Sequence, residues 1–465
     1  MILYKFHCNE RRAHSADFLT VSGGVRSNPF GIGTTPVLIF LAALLFLACP
    51  AWADETLVTG TGKPSQDVPN VQAAVNKGGL VKLRGGFNFG PDGRVRITKN
   101  VRIQGQADSV GEARTTITGG LWTFYTPLPV RGAPPADKGP IVSVRAIRFD
   151  GAKGTPLHFP HVGGLDVRGC TITDVIPQPV DIPWSDDDTL PFQAGIVVGN
   201  RIDYPKGPLK RAVTGTIRIE DNRFLMENNR PGSVAGYGVL VDWTWGAEIT
   251  VARNTIHRTS RNGIEVLDNV RSDKGKGSID IKDNRITTDD EGIPYPHKFG
   301  PNGIVAGWYF DTSGGADFSR NNRIAVTGNR IEGRGENSTG ILLYANDMVV
   351  TCNDIVMGGG TGARGIVQTG SRGFFANNRV RGQSRYALYC HAFEKLEATA
   401  NTFAWTDLND FTGIKGQVYL AGTLNVLVGR APSFIDKGKG NRHVDIPPCS
   451  LPEVDPEGDA WEPVE

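Results

Sequence analysis

Cysteine is scarce in this 465-residue chain, with six in all, and no two of them stand at metal-ligand spacing. That excludes a zinc-ribbon or finger module and a disulfide-dense mini-scaffold. Net charge is almost absent too. Lysine and arginine number 50 against 48 acidic residues. Four of the basic and two of the acidic residues precede Asp54; 50 less 4 and 48 less 2 leave 46 of each in the remainder. A neutral body carries no electrostatic footprint for nucleic acid, so that partner class is set aside. No helix-length amphipathic pattern recurs, which excludes the helical repeat folds, and the leucine spacing of leucine-rich repeats is missing. The longest apolar run, residues 37–49 (VLIFLAALLFLAC), falls short of the ~20 residues that span a bilayer.

That run is followed by Pro50 and Ala51-Trp52-Ala53. A short apolar core ending in small-x-small reads as a cleavable secretory signal, so residues 1–53 are expected to be removed and the mature chain to begin at Asp54. The expected location is secreted or periplasmic, with no transmembrane segment after cleavage. The rival reading is a lipoprotein acylated at Cys49. Cys170, Cys352, Cys390 and Cys449 remain in the mature chain. Export permits disulfides among them, sequence does not choose a pairing, and burial as small core residues is the simpler expectation.

What the chain has in abundance is repetition. An apolar alternation ending in Asn, a variable residue and Ile, Val or Phe appears at Asn222-Arg223-Phe224, Asn254-Thr255-Ile256, Asn284-Arg285-Ile286 and Asn329-Arg330-Ile331. It returns at Asn353-Asp354-Ile355, Asn378-Arg379-Val380 and Asn401-Thr402-Phe403, and Cys170-Thr171-Ile172 fills the same slot. A second phrase follows, a small residue then alternating apolars, as in Gly238-Val239-Leu240-Val241 and Gly263-Ile264-Glu265-Val266. Alternation at period two turns every second side chain inward, where it stacks on its counterpart about 24 residues away. Asparagine suits the tight turn because it bonds nearby backbone and tolerates left-handed geometry, and stacked amides can bond one another. The expected fold is all-β, a single-stranded right-handed parallel β-helix over residues 54–445. A capping helix at 68–77 should cover its N-terminal end, residues 418–428 should form the last coils, and 446–465 should be an acidic, Pro-rich tail.

In its repeats, in Val71-Gln72-Ala73-Ala74-Val75 with Gly78-Gly79, in residues 94–105 (RVRITKNVRIQG) and in 428–441 (VGRAPSFIDKGKGN), the mature chain resembles the pectin-lyase-like superfamily. The resemblance implies the β-helix fold, which many activities share. The activity-bearing phrases of polygalacturonases and pectate lyases are missing, and Tyr295-Pro296-His297 has Tyr where mannuronan epimerases have Asp.

Three intervals between the Asn phrase and the Gly phrase are long: 174–194, 225–237 and 287–302. All occupy one turn of the repeat, and insertions on one face of a solenoid usually build its binding surface. The resemblance implies a substrate cleft beside the same turn and the sheet after it. Candidate substrate-binding residues there are Trp184, Arg230, Trp243, Trp245 and Tyr295, with Trp308 and Tyr309 as further flat faces. Candidate catalytic residues are Lys298, His297, Asp242 and Glu265, and Asp289 and Asp290 could hold a cation such as calcium. With Val239, Val241, Ile264 and Val266 inward, Asp242 and Glu265 point outward, about 7–8 Å apart at Cβ. Two readings stay open. One is an enzyme on an acidic polysaccharide, a lyase before a glycoside hydrolase; the other is a non-catalytic carbohydrate-binding or structural module. The glycan, the metal and the oligomeric state are not legible.

Overall fold

The computed structural model describes residues 55–127, 138–176, 194–199, 212–226, 236–272, 275–289, 301–307, 323–358, 360–390, 401–404, 417–428 and 434–444. The chain divides into two compact units, Met1–Ala53 and Asp54–Glu465, and every described residue belongs to the second. Three sheets run its length, of fourteen, ten and twelve strands among the described residues. All are parallel, giving a right-handed parallel β-helix. One coil shows the path: Thr216–Glu220 lies in sheet one, Arg223–Leu225 in sheet two and Tyr237–Asp242 in sheet three. Glu248–Ala252 then re-enters sheet one, directly paired with Thr216–Glu220.

The core is what the alternation requires. In sheet two Ile172, Phe224, Ile256, Ile286, Ile331 and Ile355 stack in register and are almost wholly buried. In sheet three Ile196, Val239, Ile264, Ile304, Ile341 and Ile366 do the same. Each such side chain contributes about 1.5–3 kcal/mol of burial. The small residue of the second phrase also has a physical cause. A Cβ on Gly263 would lie 2.3 Å from Ile286 Cγ2 and 2.8 Å from the Gly303 carbonyl oxygen, so in this coil the corner between sheets two and three has room for glycine alone.

At the corner between sheets one and two the asparagines form a ladder. Each side-chain Nδ2 donates to the next Oδ1: Asn222 to Asn254 at 3.0 Å, Asn254 to Asn284 at 3.0 Å, then on through Asn329 and Asn353 to Asn378. The same Oδ1 atoms accept the backbone N–H one coil back, and Cys170 N–H enters the ladder by donating to Asn222. The left-handed residue is not the asparagine but the one before it: Asp221, Arg253, Asp283, Gly328, Cys352 and Asn377 all have φ between 55° and 69°.

Asn401 corrects the repeat register. It lies before a strand of sheet one, Thr402–Ala404, and not after one, so its phrase belongs to the corner between sheets three and one. A second, shorter ladder runs there from Asn401 through Asn425 to Asn441.

The capping helix is Pro64–Lys77, four residues longer at its start than the sequence suggests. Pro64 opens it, where a missing N–H costs nothing. Asp67 is buried within it and accepts from Thr61 N–H, Thr61 Oγ1 and Asn88 N–H, tying the helix to the first coil. At the far end, Phe434–Asp436 and Arg442–Val444 extend sheets three and one beyond the coils expected to be last. Cys170 and Cys390 are buried free thiols, as small core residues should be. Cys352 departs from that expectation and is disulfide-bonded. The tail from residue 446 onward, with Cys449, lies outside the described residues. Among the described residues no helix is long and apolar enough to cross a membrane.

Candidate functional site

The three long intervals each leave a sheet-two strand and return to a sheet-three strand: Thr171–Thr173 to Ala194–Val198, Arg223–Leu225 to Tyr237–Asp242, and Arg285–Thr288 to Asn302–Gly307. They share one corner. The opposite edge of sheet three is also extended in two coils: Ala194–Val198 is followed by Thr216–Glu220, and Asn302–Gly307 by Arg323–Thr327. In a coil without insertion, Thr339–Tyr344 is followed at once by Val349–Thr351. Sheet three therefore lies between two sets of long connections in the early coils. Its outward face is the candidate site.

Trp184, Arg230, Asp290, Tyr295, His297, Lys298, Trp308 and Tyr309 lie outside the described residues. Asp242 and Glu265 are described. Leu240 pairs with Glu265 and Asp242 with Leu267, so the two carboxylates stand on adjacent strands, offset by two residues. Outward does not mean exposed here: Asp242 is 1% and Glu265 5% exposed. Asp242 Oδ1 accepts the Leu267 N–H at 3.2 Å. Glu265 Oε2 accepts from Asn262 Nδ2, and Asn262 Oδ1 in turn accepts from Asn302 Nδ2 at 2.8 Å. This acid–amide–amide chain is buried throughout, and Asn302 Oδ1 has no hydrogen-bond partner among the described residues.

One expectation needs correction. Trp243 is no open platform: it is 6% exposed, sits in the left-handed region at φ 56°, and donates its indole Nε1–H to Asp268 Oδ2 at 3.1 Å. Asp289 stands 3.6 Å from Arg258 Nε, and its expected partner at the cation, Asp290, lies outside the described residues. Trp245 is half-buried and bridges to Val270.

Several side chains on this face escape a reading based on insertions. His158, outward on Leu157–Phe159, is buried against Trp122 with ring centroids 4.7 Å apart. Burial alone pulls its pKa down to about 4, so the ring is neutral at pH 7, and its Nδ1 has no partner among the described residues. At the other end of the same face three tyrosines cluster. Tyr386 stacks on Tyr389 at 4.7 Å, and Tyr419 lies 4.9 Å from Tyr389. Arg364 covers Tyr389 at 5.7 Å and Arg385 covers Tyr386 at 5.1 Å. The tyrosines are half-buried, Arg385 is exposed, and Arg364 Nε has no hydrogen-bond partner among the described residues. Burial, then the neighbouring tyrosines, raise the Tyr389 pKa, which keeps the phenol protonated at neutral pH. The sequence carries only part of this signal: with Leu388 and Cys390 inward, Tyr389 is an outward position, whereas Tyr386 stands three residues earlier, at the corner and out of phase with the alternation.

No described protein family matches the sequence, and no curated protein matches it. Among solved structures it is similar to the A-module of mannuronan C-5 epimerase AlgE6 of Azotobacter vinelandii, with TM-score 0.40, 13% identity, and 82% of this chain and 96% of that one covered. The Streptococcus pneumoniae surface protein and adhesin PfbA gives TM-score 0.38, 12% identity, and 84% and 100% covered. DFA-IIIase of Arthrobacter chlorophenolicus A6 gives TM-score 0.39, 13% identity, and 86% of each chain covered.

Proposed function

We propose that this chain is an exported β-helix protein that binds an acidic polysaccharide lengthwise on the outer face of sheet three. The observation that carries the reading is the cluster of Tyr386, Tyr389 and Tyr419 with Arg364 and Arg385. Aromatic faces take the C–H faces of sugar rings, and guanidinium groups pair with carboxylates through planar, forked hydrogen bonds. Export is supported by the leader and by the disulfide at Cys352, since such bonds persist in oxidising compartments. Protein recovered from outside the cytoplasm should have a mass beginning at Asp54.

Titration with defined oligouronates tests the site. The Tyr389→Ala/Tyr419→Ala double variant should bind roughly tenfold to a hundredfold more weakly, taking about 0.5–1.5 kcal/mol per ring contact. Chelator should leave binding unchanged, because the platform recognises anions through arginine and not through a bridging cation. A parent protein that binds no uronate, or that needs calcium to bind, defeats the proposal.

A second reading, lyase-type cleavage, is favoured by the buried Glu265–Asn262–Asn302 chain beside the insertion-bearing corner. A carboxylate held by amides in a low-dielectric setting is the kind of group that acid–base chemistry employs. Unsaturated ends released from a uronate panel, and lost in Glu265→Gln, would establish it. Binding without turnover would leave the carbohydrate-binding module.

A further inference from the structure

The residue after each ladder asparagine points outward on sheet two, and the strand register stacks these positions in one straight line. Arginine occupies four of them, Arg223, Arg285, Arg330 and Arg379, and Arg148 stands in the same line one rung before Thr171. Arg285 and Arg330 are direct partners on adjacent strands, about 4.8 Å apart at the backbone. Like charges placed opposite each other are destabilising. Nothing in the fold asks for the arrangement, since the core stack and the amide ladder are complete without any of these side chains.

Neutralisation along the row is partial. Arg223 pairs with Glu112 at 2.9 Å on an exposed surface. The one acid in the line, Asp354, is taken from the side by Arg381 at 2.7 Å. Arg148 and Arg285 are exposed and have no carboxylate partner among the described residues. The intervening rungs carry Thr171 and Thr255, whose hydroxyls can donate to the same ligand.

We infer that this row is a second binding track, for a linear polyanion laid parallel to the solenoid axis, namely a polysaccharide with carboxylate or sulfate on successive sugars. The next outward line on the same strands is mixed, with Leu225, His257, Thr287, Glu332, Val356 and Arg381, of which Glu332 is held by Arg334 and Arg381 by Asp354, leaving the arginine row as the file of surplus positive charge. A single file of charge fits a single extended chain. A bilayer would need a broad basic face, and duplex DNA carries its charge on two winding strands. The track lies on the other sheet flanking the insertion-bearing corner and does not rest on the tyrosine platform.

Binding of the full chain to sodium polygalacturonate oligomers, to a neutral glucan, to phosphatidylglycerol vesicles and to duplex DNA tests it. Arg285→Gln/Arg330→Gln should weaken uronate binding roughly two- to thirtyfold and should flatten its salt dependence. Tyr389→Ala/Tyr419→Ala should leave a salt-sensitive, arginine-dependent component. Unchanged affinity in the arginine variant overturns the track. So does vesicle or DNA binding as tight as uronate binding. Complete loss of binding in the tyrosine variant would overturn a separate track while leaving the platform standing; arginine-dependent binding that survives with no contribution from the tyrosines would do the reverse.

Discussion

Gln368 occupies an inward position of sheet three, in register between Leu343 and Cys390, fully buried, with neither amide atom hydrogen-bonded among the described residues. A buried amide without partners costs about 1–3 kcal/mol relative to an apolar side chain of similar size. Gln368→Leu should therefore stabilise the protein by about that amount in chemical denaturation, and a loss of stability would show that the amide is satisfied. His158 makes a prediction of opposite character. Its folded pKa of about 4 lies below the ordinary value of 6.5, so between those limits the unfolded chain binds a proton that the folded one does not. Stability should fall as pH drops from about 6.5 toward 4, by about 2 kcal/mol at pH 5. Unfolding curves at pH 7 and pH 5 for the parent and His158→Gln isolate this share, because the variant should lose it. Neither residue was legible in the sequence. Gln368 sits where the alternation asks for an apolar residue, and a lone histidine beside prolines carries no periodic signal. Asp242 and Glu265 were legible in direction, since period two sets inward and outward, but direction does not report what covers a side chain.

The amide ladder sets the strength of each coil. Asn284 accepts from Asn254 twice and donates to Asn329 Oδ1 and to the Val251 carbonyl, all within the buried corner. Asn284→Ala leaves several buried groups unpaired and should cost about 3–4 kcal/mol. Asn441→Ala, at the partly exposed end of the second ladder, should cost less than half of that. Equal costs at the two positions would mean that the rungs do not act through burial. The ladder was readable because one residue type recurs at one spacing. The switch of corner at Asn401 was not, because the phrase is identical on either side of a sheet-one strand and only pairing tells them apart. The long connections at the far edge of sheet three went unread for a related reason: the gaps between the Asn and Gly phrases span only one of the three corners.

At the scale of the molecule, burial within the coils decides accessibility. Cys170 and Cys390 are buried, and burial raises both thiol pKa values, Cys170 up to about 12. Neither should react with an alkylating reagent until the solenoid unfolds, while Cys352 should require a reductant as well. Mass spectrometry of native, unfolded, and unfolded-and-reduced samples distinguishes the three classes; native labelling at Cys390 would show that the late coils open.

Since each uninterrupted turn of the chain adds one rung to each face, the outer surfaces are graduated like a ruler. Excising one uninterrupted coil, such as the 24 residues between Asn329 and Asn353, would shorten each face by a single division of about 4.8 Å and leave the remaining marks in line. The shortest oligomer held at full affinity should then change in discrete steps with the number of coils.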